Sequence, residues 1–89
     1  MQISGKQVAA ARELLGLSQV ELAAAVGIDN KTVHRFESGS AEPRGQNLEK
    51  IRHELETRGI DFTNGEGPGV RLNTARAEQY ARQHRSAEV

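Results

Sequence analysis

The chain has 89 residues, enough for one modest domain and too few for two. Its formal net charge is +0 and it contains no cysteine, which excludes disulfides, thiolate zinc sites and thiol nucleophiles. The apolar run Leu22–Val26 is far short of a membrane span, and the N-terminus lacks the basic-then-apolar order of a signal peptide. A cytoplasmic protein without membrane contact is expected. With Phe36, Phe62 and Tyr80 the only Phe or Tyr and no Trp, the core has to be assembled from Leu, Ile, Val and Ala, as in small helical domains.

Taken in chain order, the first predicted helix covers residues 5–15. Ser4 with Gln7 three residues on forms a capping box, Gly16 ends the helix, and Val8, Ala11 and Leu15 make its inward stripe with Leu14 beside them. Ser18 with Glu21 repeats the capping box and opens a second helix over 19–26. Gly27 then supplies the turn, Asp29 caps a third helix ending near Glu37, and Gly39 follows it. Residues 40–45 read as a loop containing Pro43. A fourth helix over 46–58 carries Leu48, Ile51 and Leu55 on one face and stops at Gly59.

Beyond Gly59 the pattern changes. Ile60-Asp61-Phe62-Thr63 and Val70-Arg71-Leu72 alternate apolar and polar residues around the turn-rich stretch Asn64–Gly69, which predicts a β-hairpin. Such a hairpin is marginal alone, so it either covers one end of the helical core or pairs across a dimer. Residues 73–89 are alanine-rich and charged, with Tyr80 almost their sole large apolar group, and read as a frayed helix or a disordered tail. The expected organisation is a helical domain over 1–58, a hairpin extension over 59–72 and a polar tail over 73–89.

The segment from Ser18 to Gly39 carries the functional signal. Ala23 is small where two helices cross, Gly27 sits at the sharp turn, and Val33 and Phe36 put apolar bulk on the inner face of the second helix of the pair. Asn30, Lys31, His34 and Arg35 are left largely on its outer face. Those groups suit base edges: Arg or Lys donates to guanine O6 and N7, and Asn pairs with adenine N6 and N7. His34 reads either as a helper in that contact or as a solvated surface histidine. The charge balance opposes strong non-specific binding. Residues 1–45 hold five basic side chains (Lys6, Arg12, Lys31, Arg35, Arg44) and five acidic ones (Glu13, Glu21, Asp29, Glu37, Glu42).

On these residues, LSQVELAAAVGID followed by TVHRFESG, a proline-containing loop and a fourth helix, the chain resembles the phage-repressor-like, Cro-type helix-turn-helix proteins, the XRE family, over about residues 7–55. The resemblance implies a mainly α, lambda-repressor-like domain of four helices that binds double-stranded operator DNA, commonly as a dimer on two-fold symmetric sites. It implies base contacts from Asn30, Lys31 and Arg35, with His34 close enough to help. It also implies a phosphate anchor and brace at Gln19, and a loop contact from Arg44 to the DNA backbone. Thr32 offers a hydroxyl to a phosphate or caps its own helix, and Lys6 is a weaker phosphate candidate. Arg12 and Glu37 are expected to pair and brace the first helix against the third.

The family's usual fifth helix, which builds the dimer contact, is replaced here by the predicted hairpin, so a homodimer through 59–72 is one expectation. An antitoxin that gives its C-terminal segment to a toxin, and an interaction module that has lost DNA binding, are the alternatives to a transcriptional repressor. His34, His53 and His84 have no metal-ligand spacing and no nucleophile-and-base set is visible, so no catalytic residue, metal or cofactor is expected. Asn64–Gly69 lacks the lysine and following helix of a phosphate-binding loop.

Overall fold

The computed structural model describes residues 3–40 and 45–84, and the elements follow the order α1 (Gly5–Leu15), α2 (Gln19–Val26), α3 (Asn30–Ser38), α4 (Gln46–Thr57), β1 (Ile60–Thr63), β2 (Gly69–Leu72) and α5 (Thr74–Gln83). The fold is mainly helical with a two-stranded antiparallel hairpin. Both capping boxes form: the Ser4 and Ser18 hydroxyls accept from the backbone N–H of Gln7 and Glu21, whose side chains accept in return from the Ser4 and Ser18 N–H groups. Gly16, Gly27 and Gly39 close the first three helices in the left-handed conformation. Local chemistry thus ends each of these helices without help from the rest of the chain.

Ile3, Val8, Ala11, Leu22, Ala23, Val33, Phe36, Ile51, Leu55 and Ile60 form one buried cluster drawn from the start of the described chain, α1 to α4 and β1. Leu14, expected beside the inward stripe of α1, instead turns outward and is 47 % exposed, because Val8 and Ala11 take the inner face of the helix and the residue before Leu15 falls off that stripe. At the other end of α1, the backbone of α3 comes so close that a Cβ on Gly5 would lie 2.1 Å from the Phe36 carbonyl oxygen. Only glycine fits there.

The hairpin packs onto the helices. Ile60 pairs with Leu72 and Phe62 with Val70, which places all four on one face, with Ile60 fully buried. Gln7, buried in α1, ties down the open turn: its Nε2 donates to the carbonyls of Thr63 at 2.9 Å and Gly69 at 3.1 Å. Its Oε1 meanwhile accepts from the Ser4 N–H. One amide therefore caps a helix and clamps both strands.

Of the segment read from sequence as a frayed helix or a disordered tail, residues 74–83 form the helix α5. Asn73 caps it, accepting from the Arg76 N–H at 3.0 Å. Arg76 then anchors the helix. Its guanidinium donates to the Glu56 carbonyl at the end of α4, to the Ile60 carbonyl, and to the Asp61 carboxylate at 2.9 Å. Arg58 lies 4.9 Å over the Tyr80 ring, and His84 stacks on that ring with centroids 3.9 Å apart. Gly59 makes the approach possible. Its φ is +118°, and a Cβ there would stand 2.9 Å from Ala77 Cβ.

Two outcomes follow. Gly59→Ala combines a forbidden φ with a clash against α5, and should destabilise the fold by about 2–4 kcal/mol in urea titration. Hydrogen bonding from Arg76 holds the Asp61 carboxyl below the usual carboxylate range. A lowered folded pKa gives stability that is complete above about pH 4 and is lost as pH falls through the folded value. Asp61→Asn should therefore flatten the acid limb of the stability–pH curve below that range while changing its neutral slope little.

Candidate nucleic-acid interface

The helix-turn-helix is α2, the turn at Gly27–Asp29, and α3. Asp29 caps α3 by accepting from the Lys31 N–H at 2.9 Å. Val33 and Phe36 point into the core, so the opposite side of α3 is forced outward. Asn30, His34 and Ser38, each four residues apart, form one exposed row, and Lys31 with Arg35 forms the next. Together they span an arc of about 140° at the helical repeat. Ser38 lies nearest the middle of that arc, with His34 about 40° from its Asn30 edge and exposed like its neighbours. Thr32 sits at the flank of the helix and is half-buried.

The acid of this helix is withdrawn from the exposed arc. Glu37 takes a two-pronged contact from Arg12, with Nε to Oε2 at 2.6 Å and Nη2 to Oε1 at 2.7 Å, and its side chain is only 6 % exposed. Arg12 also donates to the Leu17 carbonyl at 2.9 Å, the residue before the cap of α2. Hydrogen bonding to Glu37 raises the Arg12 pKa further above its ordinary value, so the guanidinium is charged at every accessible pH. Gln19, the first residue of α2, donates from Nε2 to Glu37 Oε1 at 2.9 Å. Three helices meet on one carboxylate. The exposed arc itself is left with cations and neutral polar groups.

Gln19 is thus already engaged, and only the second hydrogen of its Nε2 remains for a phosphate oxygen. Lys6 is exposed in the first turn of α1 and lines a shallow cleft with Ser4, Phe36, Ser38 and Gly39 at the far end of α3. Arg44 lies outside the described residues. Ser38 was not singled out from sequence, yet it continues the Asn30–His34 row. The i, i+4, i+8 spacing could have found it. Its hydroxyl donates to the Arg35 carbonyl at 3.1 Å and lies 3.0 Å from that of Ser40.

This geometry belongs to a known class. The helix-turn-helix family profile matches residues 8–61, more than half the chain, and the chain is a member of that family, of the XRE or Cro-like type. It is a DNA-binding transcriptional regulator. No curated protein matches the chain significantly. No helix among the described residues is long and apolar enough to cross a membrane.

The Glu37 contact makes a direct test. Arg12→Ala strands a nearly buried carboxylate and should lower stability by about 3 kcal/mol, read from the urea midpoint. Replacing both partners with methionine should restore most of that loss.

Proposed function

We propose that the protein is a transcriptional repressor that binds operator DNA as a homodimer, laying α3 in the major groove of each half-site. Asn30, Lys31, His34 and Arg35 contact base edges, while Gln19, Thr32, Lys6 and Arg44 hold phosphates. The observation that carries this reading is the withdrawal of Glu37 from α3's exposed face into the contact with Arg12 and Gln19. On a chain of zero net charge, the base-reading surface is kept free of acid by an internal ion pair rather than by an excess of lysine.

Dimerisation is supported by a second surface. Leu14, Leu15, Leu72, Ala77, Tyr80, Ala81 and Arg58 line an apolar groove between α1, β2 and α5. Large apolar groups with a tyrosine and an arginine are the composition of protein interfaces. Because the hairpin's apolar face is engaged by its own helices, this groove is a better interface than the hairpin face alone. A toxin on the same groove would make the protein an antitoxin with an unchanged reading head. Two half-sites about one helical turn apart follow from a two-fold dimer.

Binding to a duplex selected by the protein from a random pool should weaken steeply with salt. Arg35→Ala should lose about 1–3 kcal/mol on that duplex and relax base preference at one position of each half-site. Salt-insensitive or absent binding would reject the reading. Sedimentation of Leu14→Asp should show a monomer if the groove joins two copies; co-purification of a second polypeptide from the native source would favour the antitoxin role.

A further inference from the structure

We infer that Gly5 is a positioning residue for DNA reading: the absence of a side chain at the start of α1 sets how α3 is seated, and hence whether its side chains register with base edges. The inference rests on the assignment of α3 as the reading helix.

The contact is between backbones. A Cβ at residue 5 would meet the Phe36 carbonyl oxygen at 2.1 Å, and the Phe36 carbonyl carbon and Glu37 Cα at 2.9 Å each. Real Cβ atoms do not approach within 3.0 Å, so an alanine requires a retreat of about 1 Å. No rotamer change can supply it, because none of the three atoms belongs to a side chain. The Phe36 carbonyl also accepts from the Gly39 N–H at 3.2 Å, so it is fixed by the cap that ends α3. The two helices must therefore move as bodies. The other end of α3 is tied to α2 through the short turn at Gly27–Asp29, so a push at Phe36 becomes a tilt.

Such a tilt separates two kinds of contact. Hydrogen bonds to base edges tolerate a few tenths of an ångström before they weaken, and they depend on the direction of approach. Arg35 and His34, one turn or less from Phe36, would leave register first; Asn30, near the fixed end, would move least. Contacts from long side chains such as Lys6 to phosphates absorb the same displacement by rotamer adjustment. A change at Gly5 should therefore erode discrimination and leave non-specific affinity in place. A residue that merely stabilises the fold does the reverse: it lowers the melting temperature and leaves the discrimination of the folded fraction alone.

The test compares Gly5→Ala with Val8→Ala, which opens a cavity one turn along the same helix without touching α3's backbone. Each is titrated against the selected duplex and a scrambled one at a temperature where far-UV circular dichroism shows it folded. Gly5→Ala should reduce the ratio of the two affinities by about tenfold or more, the equivalent of one base contact, with an unchanged salt slope. Val8→Ala should hold the wild-type ratio within about twofold, as expected for a substitution that acts on folding alone. A wild-type ratio in Gly5→Ala, or an equal loss in Val8→Ala, overturns the inference. If Gly5→Ala is unfolded in buffer, the titration is made in trimethylamine N-oxide, which favours compact states. Failure to fold even there also overturns it, since the contact would then belong to the fold as a whole. Absence of salt-sensitive binding by the wild-type protein is a separate outcome and rejects the reading-helix assignment itself.

Discussion

The Glu37 carboxylate is the point on which the helix-turn-helix and α1 are assembled. Arg12 reaches it from α1, Gln19 from the first residue of α2, and Glu37 itself belongs to the last turn of α3. Exposed ion pairs contribute little to stability, but this one is two-pronged and its acid is nearly buried, so removing either partner leaves a charge without solvent. Its role is as much geometric as energetic. A bidentate guanidinium–carboxylate contact has a preferred plane, and α1 and α3 have to adopt a relative orientation that satisfies it.

That orientation is held at two separated places. At one, the Arg12 guanidinium grips a side chain; at the other, Gly5 lets main chain lie on main chain. The intervening Val8 and Ala11 pack into the buried cluster with Val33 and Phe36. The electrostatic result follows from the same arrangement. A head with as many acids as bases can still offer a non-acidic surface, because the one acid within α3 is consumed by a base from another helix. Global charge is a poor guide when charges are sorted locally.

Much of this was legible in the sequence, and the pattern of success has a physical cause. The ends of α1, α2 and α3 were readable because each is written in a few adjacent residues: a Ser with its partner three positions on, or an Asp, and a glycine after the last turn. The exposed set on α3 was readable because Val33 and Phe36 fix which side is inner. By contrast, α5 offers periodicity only the short stripe Ala77, Tyr80 and Ala81, and none of its residues is fully buried. It is held by Arg76 on backbone carbonyls and by Asp61, and by Gly59 admitting Ala77, contacts between residues 15 to 20 positions apart. Gly5 looked like an ordinary first helical residue, since nothing nearby in sequence reveals that Phe36 crosses it. Leu14 is apolar but lies off the stripe of Val8, Ala11 and Leu15, so residue type alone does not show its exposure.

Among the described residues Gln7 makes the side-chain hydrogen bond of longest range, to a carbonyl 62 positions away. Its side-chain oxygen serves the Ser4 cap locally, so α1 can form as soon as its own residues are available, whereas its nitrogen has no protein partner until Thr63, and then Gly69, has been synthesised. On the ribosome, the helix-turn-helix would thus emerge before the hairpin that packs on α1 and α4. During that interval the two side-chain amide hydrogens of Gln7 would be left to water. The arrival of the two strands exchanges that water for main chain, so docking of the hairpin is the event that seals the domain.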